Sequence, residues 1–90
     1  MQNLSENILI VNRLGLHTRA AAKFVKLAAQ FKSDVTITRN GETVNGKSIM
    51  GILMLAAAKD SEIKLAVSGP DQEAAFAALK ELIVTGFGEK

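Results

Sequence analysis

The sequence contains no cysteine, no tryptophan, no tyrosine, one proline and one histidine. Without cysteine there are no disulfides, no thiol nucleophiles and no cysteine-ligated metals, which fits an intracellular, reducing compartment. Aromatic residues are four phenylalanines, and the 11 Lys and Arg against 9 Asp and Glu form no basic block. A net charge of +2 with so few rings gives little for a nucleic acid to bind. The N-terminus, MQNLSENILIV, has neither a basic leader nor a signal-peptide core. The longest apolar run, Ile49 to Ala58, falls short of the roughly 20 residues a bilayer requires. Repeats, linkers and low-complexity tracts are also missing. A cytoplasmic protein with one domain over 1–90 is expected.

Within that frame the chain alternates clear patterns. Asn7 to Val11 is β-branched and apolar, as in a strand. From Thr18 to Phe31, apolar residues at spacings of three and four mark an amphipathic helix. Asp34 to Arg39 alternates, with Val35 and Ile37 inward and Thr36 and Thr38 outward. Asn40-Gly41 is a hairpin turn leading into Glu42 to Asn45. Ser48 to Ala58 reads as a second helix, and Glu62 to Ser68 as a strand with Ile63, Leu65 and Val67 inward and Lys64 outward. Pro70 suits the first turn of a third helix, with Asp71 and Glu73 at its positive end. Phe76, Leu79, Leu82 and Ile83 form its apolar stripe, and Gly86 its C-cap. The order βαββαβα predicts an α+β fold, an open-faced β-sandwich. Its four-stranded, largely antiparallel sheet carries three helices on one face.

The lone imidazole lies in GLHTRAA. His17 stands where a helix begins, and helix N-termini bind anions through unpaired N–H groups and a partial positive charge. Arg19 puts a cation where the helix dipole disfavours one, which suggests an anionic visitor. Nearby positive charge favours a neutral, nucleophilic ring. The blander alternative is that Thr18 caps the helix, leaving His17 solvated and Arg19 an ordinary surface residue. In NGKSIMGILML, Ser48 fits an N-cap equally well as a structural residue or as a phosphorylation site. Helix two also carries more apolar surface than a single inward face can bury. Ile49, Met50 and Leu53 on one arc suggest a docking patch unless tilting buries them.

Together, GLHTRAA and NGKSIMGILML, at this spacing and in this element order, resemble the HPr family of histidine-containing phosphocarriers. These serve the bacterial phosphoenolpyruvate-dependent sugar phosphotransferase system. The resemblance covers essentially the whole chain. It implies that His17 accepts a phosphoryl group on Nδ1. Arg19 would neutralise its charge, and the backbone N–H groups of Thr18 and Arg19 would hold its oxygens. It further implies that a serine kinase could modify Ser48, and that Ile49, Met50 and Leu53 dock enzyme I and the IIA domains of sugar permeases. Such a carrier is a monomer with no cofactor, no metal and no turnover of its own. Where the family has proline, this chain has Ala20. The alternatives are a carrier of the related nitrogen-regulatory chain or a small non-catalytic ligand-binding module.

Overall fold

The computed structural model describes residues 3–89. Four strands, β1 (Leu4–Leu9), β2 (Asp34–Arg39), β3 (Glu42–Asn45) and β4 (Glu62–Ser68), form one sheet in the order β1-β4-β2-β3. Every neighbouring pair is antiparallel. Three helices, α1 (Thr18–Ala28), α2 (Ile49–Met54) and α3 (Gln72–Val84), bury the inward side chains of that sheet. This is the α+β open-faced sandwich the patterning predicts.

The alternating strands behave as expected. Val35, Ile37, Ile63, Leu65 and Val67 are buried, while Lys64 is exposed and Thr36 and Thr38 are half-buried on the outer face. The hydroxyls of Thr38 and Thr43 pair across β2 and β3 at 2.8 Å. Asn40 and Gly41 have φ of 52° and 83°, the two positive angles that a type I′ hairpin turn needs.

Three boundaries move, each for a local reason. β1 lies earlier than Asn7 to Val11, because its register against β4 runs from Leu4 opposite Val67 to Leu9 opposite Glu62. Ile10 stays tied to the 60–61 turn, donating to the Ser61 carbonyl at 2.8 Å and accepting from the Asp60 N–H at 2.7 Å. It is buried, so the apolar run outlasts the strand. α1 stops at Ala28 rather than Phe31. The Gln30 and Phe31 N–H groups bond three residues back, to Leu27 and Ala28, which tightens the last turn beyond α-helical geometry. α2 is the largest departure, ending at Met54 rather than Ala58. Leu55 and Ala56 also bond three residues back, and Ala56 turns left-handed at φ 50°. Leu55 and Ala57 are buried in an irregular segment, so they continue the apolar pattern without continuing the helix.

α3 corrects one reading and extends another. Pro70 precedes the N-cap, Asp71, instead of entering the first turn. The Asp71 carboxylate leaves its own helix and accepts from the Ser33 hydroxyl at 2.5 Å and from the Lys32 and Ser33 N–H groups at 2.9 Å. The hydroxyl contributes most, followed by the Lys32 N–H. Together these donors hold the carboxyl below its ordinary range and clamp α3 to the loop before β2. The buried line of α3 is Gln72, Ala75, Leu79 and Ile83, with Phe76 and Leu82 half-buried on its flanks. Gly86 follows the C-cap with φ 68°, as a helix-ending glycine should. A short 3₁₀ turn at Gly86–Gly88 then sinks Phe87 into the core. Among the described residues, no helix is long and apolar enough to cross a membrane.

Candidate functional site

The geometry around His17 begins two residues earlier. Gly15 adopts φ 67°, and a Cβ there would meet the Ala57 carbonyl oxygen at 2.4 Å. The chain can therefore press against the segment after α2, where the Leu16 N–H donates to the same oxygen at 2.8 Å. Leu16 is buried, and this anchor sets the entry into α1.

His17 is the N-cap, with extended φ −80° and ψ 178°. Its carbonyl accepts the first helical bond, from the Ala21 N–H at 2.8 Å. Its Nδ1 accepts a long hydrogen bond, 3.3 Å, from the Arg19 N–H. Thr18 is therefore not the cap. The N–H groups of Thr18 and Ala20 have no acceptor among the described residues, as expected for the first turn of a helix. The Arg19 side chain is exposed and forms no ion pair among the described residues.

Ala20 is the third residue of α1 and is fully buried. Proline removes an N–H that is unused here and fixes a φ close to the helical value. Ala20→Pro should therefore raise stability by about 0.4–1 kcal/mol through the unfolded chain's lost freedom, as chemical denaturation would measure. A loss of more than about 1 kcal/mol would place an acceptor on that N–H or leave the ring without room.

The far side of the ring meets a group that sequence reading did not anticipate. His17 Nε2 lies 2.5 Å from Glu89 Oε2. The tail reaches this point because buried Phe87 anchors it, while the Lys23 ammonium donates to the Phe87 carbonyl at 2.8 Å. Asn12, itself buried, donates its amide to the Gly15 carbonyl at 2.8 Å and to Glu89 Oε1 at 2.9 Å, joining loop to tail. The Asn12 bond contributes most to holding the Glu89 carboxyl below its usual range. Desolvation opposes it, and donation from His17 and the charges of His17 and Lys23 assist. No local spacing signals this contact. The only hint is a Gly-Phe-Gly run after a helix end, which sequence reading used only for its C-cap.

Arg13, Leu14, Arg19, Lys23, Gly88 and Glu89 line a cleft beside the ring. It sets Arg13, Arg19, Lys23 and the Glu89 carboxylate beside a partly buried imidazole whose Nδ1 faces the Arg19 N–H. Such a place can receive an anionic group and hold it at a helix end.

Ser48 caps α2, its hydroxyl accepting from the Gly51 N–H at 3.1 Å. Beyond it, Met50 is 71% exposed and Ile49 37%, while Leu53 is half-buried against the core. The excess apolar surface of α2 is thus real, though carried by Ile49, Met50 and also Met54 more than by Leu53.

Comparison with known proteins gives a consistent result. A family model described as the PTS HPr component phosphorylation site matches residues 4–85. Phosphocarrier protein HPr of Neisseria meningitidis serogroup A is 54% identical over 86 residues, covering 96% of this chain and 97% of the relative. The Cupriavidus necator protein of the same name is 49% identical over the same coverage. Among solved structures, HPr from Thermoanaerobacter tengcongensis superposes with a TM-score of 0.90 at 41% identity, covering 100% of this chain and 99% of that one. HPr from Bacillus anthracis gives 0.86 at 38%, covering 90% and 96%. With its fold, its histidine-capped helix and near-complete coverage by such relatives, this chain belongs to the HPr family of phosphotransferase-system phosphocarriers.

Proposed function

We propose that the chain works as one cytoplasmic, monomeric carrier domain that takes a phosphoryl group onto His17 Nδ1 from phospho-enzyme I and passes it to IIA domains of sugar permeases. The observation that carries this reading is the capped ring: Nδ1 faces the Arg19 N–H at the start of α1. When a phosphoryl group bonds to Nδ1, that N–H is released to one of its oxygens. The Thr18 N–H, unengaged among the described residues, is available to another. The Arg19 guanidinium supplies charge for the developing transition state. The P–X bond to the donor breaks as the Nδ1–P bond forms, and the reverse occurs on delivery. No cofactor takes part.

Incubation with phosphoenolpyruvate and enzyme I should place one acid-labile, alkali-stable phosphate on each chain. Absence of label would sink the proposal.

Docking is assigned to Ile49, Met50 and Leu53, with Met50 the most exposed of the three. A modest apolar patch of this kind suits transient encounters. Met50→Glu should slow transfer from enzyme I severalfold and leave the melting temperature nearly unchanged. A large drop in melting temperature would instead assign Met50 to the core. Ser48, beside that patch, is the proposed target of a serine kinase, and added phosphate there would oppose docking by charge.

A further inference from the structure

We propose that Glu89 is a positioning residue for His17, holding the proton on Nε2 so that Nδ1 keeps its lone pair in the free carrier and the phosphorylated ring stays protonated. The inference rests on the phosphocarrier reading and adds to it a role for the tail.

Two contacts on opposite nitrogens select the same ring state. The Arg19 N–H is a donor, so the Nδ1 facing it at 3.3 Å must be an acceptor. A carboxylate accepts, so the Nε2 facing Glu89 at 2.5 Å must carry hydrogen. Glu89 is itself fixed. Both amide hydrogens of Asn12 are committed, one to Gly15 and one to Glu89 Oε1, which leaves Oε2 for the ring. Phe87, buried two residues before, prevents the tail from sliding. Among the described residues, Glu89 is also the only acidic side chain lining the cleft, which it shares with Arg13, Arg19 and Lys23.

The chemistry then balances without moving a proton. Nδ1 donates its lone pair to phosphorus, the bond from phosphorus to the donor breaks, and the ring becomes an N-phosphoimidazolium paired with the Glu89 carboxylate. On delivery, the Nδ1–P electrons return to Nδ1 and the leaving group is neutral imidazole. Without the carboxylate, the ring would lose Nε2–H more readily and would have to leave as imidazolate, a far poorer leaving group.

Two variants of the full chain test this. In unphosphorylated protein, proton NMR should show a downfield, slowly exchanging Nε2–H signal that disappears in Glu89→Ala. Its persistence would overturn the contact whatever the protein's function. In phosphorylated protein, Glu89→Gln should slow spontaneous hydrolysis of the phosphohistidine near neutral pH by at least threefold, with an unchanged melting temperature. Equal hydrolysis rates would overturn the role assigned to the carboxylate. If the parent chain takes no phosphate at all, the phosphocarrier reading fails, whereas the Nε2–H signal still judges the contact independently.

Discussion

His17→Ala is expected to accept no acid-labile phosphate from phosphoenolpyruvate and enzyme I, a complete loss, while remaining folded. The first half follows from chemistry. The sequence has one imidazole, and no other side chain can form an N-phosphoimidazole. The second half follows from where the ring sits. Its side chain is about a quarter exposed, and it contributes a cap bond of 3.3 Å and a contact to a tail carboxylate rather than core volume. Losing an N-cap costs about 0.5–2 kcal/mol, set against the 5–15 kcal/mol typical of a domain. The Glu89 oxygen left behind faces the cleft, where water can replace the ring. Residual acid-labile label in this variant would show that phosphate resides elsewhere. Unfolding would mean that the ring is structural.

Gly15→Ala should be among the most damaging substitutions in the chain. A Cβ at this position would lie 2.4 Å from the Ala57 oxygen and 2.8 Å from the Ala58 Cα, both backbone atoms that cannot rotate away. The residue also has φ 67°, where a non-glycine residue costs roughly 1–2 kcal/mol. Overpacking adds about 1–3 kcal/mol. The sum, about 2–5 kcal/mol, corresponds to a fall in melting temperature of at least ~10 °C for a domain of this size. Relief of the clash would push the 15–17 loop off the segment after α2, break the Leu16 bond to Ala57 and reset the cap. Phosphate acceptance should therefore fall even in the fraction that stays folded. A variant that melts within 3 °C of the parent (about 0.5 kcal/mol) would show that the two segments separate freely.

How much of this was legible in the residues depends on the range of each interaction. The hairpin at Asn40-Gly41, the alternation in β2 and β4 and the glycine ending α3 are all local, and the sequence carried them. The cap at His17 was legible for the same reason, since its partner is two residues away. The length of α2 was not. Leu55 and Ala57 are apolar because tertiary packing buries them, and apolarity alone cannot separate a buried turn from a buried helix. Asp71 shows a related limit. It does stand at the start of α3, but its carboxylate bonds to the Ser33 hydroxyl and to the Lys32 and Ser33 N–H groups, partners too far along the chain for any local pattern to signal. Glu89 was invisible because nothing near it in the sequence speaks of His17.

The two nitrogens of the imidazole are consequently secured by different kinds of folding event. Nδ1 finds its partner across two positions, a contact made within the first turn of α1. Nε2 finds its partner across 72 positions, and that contact requires the sheet, α3 and the burial of Phe87 to be in place. Closing so long a loop yields nothing until the remainder has assembled. The nucleophilic side of the ring is thus fixed by a contact local in sequence. The protonated side is fixed by a contact that registers completion of the domain, so the histidine has its full set of contacts only in a chain whose tail has come home.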